Sequence, residues 1–208
     1  MEPDIASGNL QVIRTLMERA ALYRRALAPV MLVVGLIGST AFLLAHFVPK
    51  FNANHTFAAL WLATAMVSLS ITYVLVRRQA LKEHEDFWSP PARRVSQALL
   101  PGFVAGAMAG VVVALAGRQL PSVCWLLAIA WLLSYGCALH AAGFFMQRGF
   151  KLFGMMLVVA GSALLVAAAF VPELQSTGAA HGLMGFFFGA LHLAYGAYLH
   201  FTERRLRA

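Results

Sequence analysis

Six stretches of this chain, roughly residues 27–48, 56–76, 99–117, 121–146, 152–172 and 181–202, contain no Asp, Glu, Lys or Arg. A helix that crosses a bilayer needs about 20 mostly apolar residues, and each stretch reaches that length. Lipid offers the backbone no hydrogen-bond partners, so a spanning segment must be a helix or a strand of a closed barrel. Barrel strands are short and alternate polar with apolar residues, whereas these runs are long and apolar throughout. The sequence therefore predicts an all-α membrane protein with six transmembrane helices. Only 12% of its 208 residues are charged, against roughly 25% in soluble chains.

The net charge of +8 would suit a nucleic-acid binder, but its distribution along the chain argues for topology instead. Arg14, Arg19, Arg24 and Arg25 precede the first run; Arg77, Arg78, Lys82, Arg93 and Arg94 lie between the second and third. Arg148 and Lys151 follow the fourth, and Arg204, Arg205 and Arg207 follow the sixth, which leaves only Lys50 and Arg118 on the other side. Basic loops stay in the cytoplasm. The expectation is a multi-pass protein of the inner cell membrane with both termini cytoplasmic. Its basic residues would touch anionic lipid headgroups, and nucleic acid is not expected as a partner. The first apolar run starts late and is long enough to span, so it reads as a helix and not as a cleavable leader.

Two parts follow from this pattern: a cytoplasmic or interfacial segment, 1–25, and the six-helix bundle, 26–208. Within the first, Leu10, Ile13, Leu16, Met17 and Ala20 recur at helical spacing against Arg14, Glu18 and Arg25, which predicts an amphipathic helix lying in the membrane surface. That helix, or the cytoplasmic segment 79–94, is where a protein partner would dock; self-association into a homo-oligomer is the other possibility. Cys124 and Cys137 share one helix and lie about 20 Å apart along it, too far for a disulfide.

The last run, HGLMGFFFGALHLAYGAYLH from His181 to His200, is the most patterned. At about 100° per residue, His181, Gly185, Gly189, His192, Gly196 and His200 fall within roughly 100° of the helix circumference. Glycines allow a neighbouring helix to approach closely, and imidazoles place polar, titratable groups on the same face. This helix is expected to sit at the centre of the bundle. The third run carries its own pair of GxxxG steps, Gly102, Gly106 and Gly110, a second packing face.

His192 falls about 16 Å along the last helix from His181, near mid-membrane. Ionisable residues at that depth are functional candidates. The alternative is an imidazole that hydrogen-bonds a facing helix, with Ser68, Ser70, Thr72, Ser134 and Tyr135 as available partners. No intramembrane carboxylate accompanies it, which argues against an acid-driven proton pump. His140 and His200 are expected at one depth near the cytoplasmic face, where two histidines on separate helices could ligate haem. His46, His55 and His181 lie toward the outer face and could gather around a metal. Motifs for acyl transfer, nucleotide binding or metalloproteolysis are absent.

An internal echo links the even-numbered runs. Tyr135-Gly136-Cys137-Ala138-Leu139-His140 resembles Tyr195-Gly196-Ala197-Tyr198-Leu199-His200, and Tyr73 with Arg78 repeats the offset. Phe47-Val48-Pro49 and Phe170-Val171-Pro172 end the first and fifth runs alike. Three copies of a two-helix hairpin would produce this pattern; so would chance among apolar sequences.

The Leu16-Met17-Glu18-Arg19 segment with Tyr23-Arg24, together with the Tyr-Gly-x-x-Leu-His segments, resembles a group of uncharacterised bacterial six-span membrane proteins. The resemblance covers most of the chain and implies the same fold, with no established activity to carry over. The expected function is non-enzymatic: transport or sensing of a small solute or ion, or service as a membrane subunit of a larger complex. His192 would be the central polar group, with His181, His140, His200, Tyr135 and Tyr195 around it and no cofactor. The alternative is a membrane cytochrome with histidine axial ligands to haem.

Overall fold

The structure, a computed structural model, describes residues 26–84, 87–116, 123–146 and 148–205. The amphipathic helix expected over 9–25 lies outside the described residues. Six helices follow in order: α1 (Ala26–Phe47), α2 (Asn54–Lys82), α3 (Pro90–Ala116), α4 (Val123–Ala142), α5 (Arg148–Phe170) and α6. The last, α6, is α-helical over Thr177–Met184, widens into a π turn over Gly185–Ala190, and resumes over Leu191–Arg205. All six are long and apolar enough to cross a membrane. No strand occurs among the described residues. The all-α, six-helix fold read from the apolar runs is the fold observed.

Local chemistry sets the helix ends. After Phe47 and Phe170, Val48 and Val171 leave helical geometry (φ −117° and −128°), and Pro49 and Pro172 each open a short 3₁₀ turn. Proline disfavours helical backbone in the residue before it and suits a first turn, where its missing N–H costs least. The Phe-Val-Pro echo thus produces the same turn twice. Ser176 caps α6 by accepting from the Ala179 N–H at 3.1 Å. Pro90 is the first residue of α3, so the Ser-Pro-Pro turn is the start of that helix. The α2–α3 connection is correspondingly short.

The centre of the bundle is α4, which corrects the expectation that α6 would occupy it. Over its apolar window 56% of α4 is buried, compared with 39% for α1 and α6 and 6% for α2. Lipid tails are as apolar as these side chains, so close packing and not hydrophobicity holds α4 at the centre, with small residues of its neighbours set against it. The glycine ladder of α3 lies on α4. A Cβ added at Gly102 would come 2.6 Å from the Ser134 carbonyl oxygen, and one at Gly110 would come 2.7 Å from the Trp131 ring. The Trp131 indole donates to the Gly106 carbonyl at 2.7 Å. On its other side α4 meets α5, where Gly154 abuts the His140 backbone and Gly161 the Leu133 side chain.

The glycine face of α6 does turn inward, and α1 is the helix it meets. A Cβ at Gly35 would lie 2.6 Å from the Leu193 nitrogen, one at Gly196 would lie 2.8 Å from the Leu32 nitrogen, and Gly38 abuts the Phe188 carbonyl. Gly185 is closed off by the Phe42 ring at 2.5 Å, and Gly189 by Ser39. Backbones approach this closely only where side chains are absent. The even-numbered helices that a threefold repeat would make equivalent, α2, α4 and α6, are buried to 6%, 56% and 39%, so their environments differ. Because α1 packs with α6 while α2 packs with α3, a cavity of ≈ 500 Å³ is left between α1 and α2.

Candidate functional site

All six helices reach this cavity, α5 through Phe150 alone. Leu27, Met31 and Val34 contribute from α1, Trp61, Thr64 and Ser68 from α2, and Ser96, Leu99 and Phe103 from α3. Trp131, Ser134 and Tyr135 come from α4, and Met184 and Phe188 from α6. Phe87 and Trp88, in the α2–α3 connection, border it near the basic end. Met66, Leu69 and Tyr73 line it too, yet remain 64%, 44% and 52% exposed. A lining residue that is also exposed marks a sideways opening, here along the membrane-facing side of α2. Volume and lining fall within the usual range for a small-molecule site: about 300–1,000 Å³, mostly apolar and aromatic, with few polar groups.

The most deeply anchored polar group of the wall is Tyr135. Its hydroxyl lies 2.9 Å from Nε2 of His192, a residue with 0% exposure. The other ring nitrogen, Nδ1, is 2.7 Å from the Phe187 carbonyl oxygen. A carbonyl can only accept, so Nδ1 carries the hydrogen; in the uncharged ring Nε2 is then the acceptor and Tyr135 donates to it. The π turn accounts for the available carbonyl. Within it the Leu191 N–H bonds Phe186, five residues back, and the next carbonyl, on Phe187, meets the His192 side chain. Phe153 packs edge-on to the imidazole at 5.2 Å and Phe188 stacks on it at 5.9 Å. Phe103 stacks on Tyr135 at 5.9 Å. Of the five hydroxyl partners considered from sequence, the fold selects Tyr135.

His181 is committed elsewhere. Its Nδ1 accepts from the Trp61 indole at 3.1 Å, and its Nε2 donates to the Phe51 carbonyl at 3.1 Å. The edge of Phe57 closes the third side at 4.7 Å. Both ring nitrogens are occupied, so His181 ties the 3₁₀ turn and α2 to α6 and has no lone pair to give a metal. His46 is exposed, against Phe42 and Phe47, and His55 is half-buried. Among the described residues no group of three His, Cys, Asp or Glu side chains is placed to hold a metal ion. The outer metal site considered from sequence is therefore not assembled by these three histidines. Trp61 is 3% exposed and part of this clasp.

The paired residues considered for haem have different neighbours. His140 bonds the Lys151 carbonyl through Nδ1 at 3.2 Å, against α5, while His200 is exposed on α6 beside Phe201. Tyr195 stacks on Phe153 at 4.6 Å, and its hydroxyl finds no partner among the described residues. Sequence reading missed the aromatic setting formed by Phe103, Phe153 and Phe188, because these phenylalanines carry no periodic signal that separates them from lipid-facing ones.

Fold and site together define a six-span helical membrane protein with a lateral, largely apolar cavity and one buried tyrosine–histidine pair at its wall. No protein family, no curated protein and no solved structure matches the chain.

Proposed function

We propose that this protein binds a small solute within the membrane, as a carrier or a sensor, and that the cavity between α1 and α2 is where it binds. The observation that carries this reading is the Tyr135–His192 pair: a polar group at the wall of an apolar cavity, held in one orientation by a histidine that is itself anchored. A binding site needs few polar groups, fixed in place, on an apolar surface. The sideways opening favours a solute that arrives from the lipid phase. A conducting ion pathway has less support, because none of the described residues of the wall carries a charged side chain. In the orientation we propose, the basic end of the bundle faces the cytoplasm. Service as a subunit of a larger complex is compatible with the same cavity.

The test uses the protein in liposomes with 1-bromododecane, whose bromine quenches tryptophan on contact. Trp61, Trp88 and Trp131 line the cavity, so the reading expects saturable quenching. Ala65→Phe, which fills the cavity from α2, should abolish the saturable component. Quenching that rises linearly with bromododecane, and is unchanged by Ala65→Phe, would sink the reading.

A further inference from the structure

Hydrogen-bond polarity narrows the class of solute. The deep wall of the cavity, away from the basic end, holds five side-chain donors, and each is spent on the protein. The Trp61 indole donates to His181 at 3.1 Å and the Trp131 indole to the Gly106 carbonyl at 2.7 Å. The Thr64 hydroxyl donates to the Leu60 carbonyl at 2.8 Å, and Ser134 to the Trp131 carbonyl at 3.2 Å. Tyr135 donates to His192 at 2.9 Å. What these groups keep is lone pairs, on the oxygens of Thr64, Ser134 and Tyr135. Ser68, Thr72, Tyr73 and Ser96 also present hydroxyls to the cavity, nearer the basic end, so the acceptor character belongs to the corner formed by Thr64, Ser134 and Tyr135.

That corner rejects a solute that seats only an acceptor against it. A ketone, an ether, a carboxylate or a phosphate placed there would set lone pair against lone pair in an apolar medium, which leaves polar atoms unsatisfied. The fitting polar group is a donor. Two kinds exist, a neutral O–H and an organic cation, and charge separates them. Among the described residues no carboxylate lines the cavity to offset the desolvation of a buried cation; the charged side chains of the flanking helices α2 and α3, Arg77, Arg78, Lys82, Arg93 and Arg94, are positive, and Glu83, just past α2, is engaged by Gln79 at 3.0 Å. We infer that the cavity takes a neutral lipophilic alcohol, with its hydroxyl donating to the Tyr135 oxygen and its hydrocarbon body against Trp61, Phe103, Trp131 and Phe188.

This inference rests on the solute-binding reading, and one experiment separates the two. Dodecan-1-ol, dodecyl methyl ether, 2-dodecanone and dodecyltrimethylammonium compete, at matched mole fraction in the bilayer, with 1-bromododecane for the protein in liposomes. Recovery of tryptophan fluorescence is the readout. The alcohol should displace the probe at a roughly two- to tenfold lower mole fraction than the ether or the ketone. His192→Leu frees the Tyr135 hydrogen to point into the cavity, so the ketone should gain and the preference should collapse. If that variant does not fold, Tyr135→Phe decides alone, since it removes the acceptor and should bring alcohol and ether level. An ether, ketone or ammonium compound that matches or beats the alcohol in the unmodified protein overturns the inference, as does an alcohol preference that survives Tyr135→Phe. Absence of saturable quenching by the probe overturns the solute-binding reading itself.

Discussion

Tyr135 on α4 and His192 on α6, 57 residues apart in the chain, meet at 2.9 Å between the phenolic oxygen and Nε2. This contact joins the central helix to the helix with the most patterned sequence, and it does so at a cavity wall. One partner is fully buried and anchored to a π-turn carbonyl; the other lines open space. Such a pair is costly to leave half-made, which gives it sharp mutational consequences.

His192→Ala should be among the most destabilising single substitutions in the bundle. It removes a ring with 0% exposure and strips partners from both the Phe187 carbonyl and the Tyr135 hydroxyl. Cavity formation and unsatisfied polar groups together should cost about 3 kcal/mol or more. His200→Ala, at an exposed position of the same helix, should change stability by less than about 0.5 kcal/mol. Thermal unfolding in detergent micelles compares the two directly. Equal losses would mean that the buried pair is not a stabilising contact.

Glycine positions should divide by what faces them, not by residue type. At Gly38 a methyl group would collide with the Phe188 carbonyl, a backbone atom that cannot swing away. Gly38→Ala should therefore push α1 off α6 and lower the unfolding temperature. Gly182 on α6 has nothing within 4 Å of an added Cβ, so Gly182→Ala should stabilise the helix by about 0.5–1 kcal/mol through reduced backbone freedom. The two alanine variants should thus move the unfolding temperature in opposite directions.

How far these positions could be read in advance depended on whether one helix or two decided the matter. The stripe from His181 to Gly196 was legible because offsets along a single helix fix which side chains share a face. Its partner was not, because nothing along α6 says that Gly35 and Gly38 of α1 will lie against it. The central place of α4 carried no such signal, because in lipid a helix apolar on every side packs as readily against tails as against neighbours; the glycines that seat it lie on α3 and α5. The π turn at Gly185–Ala190 has no periodic signature, so the carbonyl that orients His192 was out of reach. Tyr135 was one of five hydroxyls within plausible range, and only tertiary packing could choose among them. Trp61 lies near a helix end, where indoles ordinarily meet headgroups; its inward rotation onto His181 is again a two-helix fact.

His84, just past the end of α2, has a φ of 53°, the left-handed conformation that commonly ends helices and that glycine adopts without steric cost. His84→Gly should accordingly stabilise the α2–α3 connection, by up to about 1 kcal/mol. Reduced proteolytic nicking between residues 82 and 90, together with a small rise in unfolding temperature, would register the gain. A fall in stability would mean that the His84 side chain makes a contact worth more than the backbone conformation costs.

The clasp at the opposite end of the bundle gives the last expectation. His181 accepts from Trp61 on α2 and donates to the Phe51 carbonyl in the Pro49–Asn52 turn. One imidazole thereby holds the α1–α2 turn, the start of α2 and the start of α6 together. The bundle has a reason to need it there: α2 is only 6% buried over its apolar window, so the attachment near Phe57 and Trp61 adds to the α3 contact in holding α2 beside the cavity mouth. His181→Ala should leave the α3–α4–α5 core intact while releasing this attachment. Amide exchange in the 49–58 segment should accelerate by roughly tenfold, with little change across α4. Trp61→Phe keeps the aromatic packing but removes the indole donor, so it should give a weaker form of the same exchange pattern. If exchange in both variants rises uniformly across all six helices, His181 is a general packing residue and the cavity mouth is held by something else.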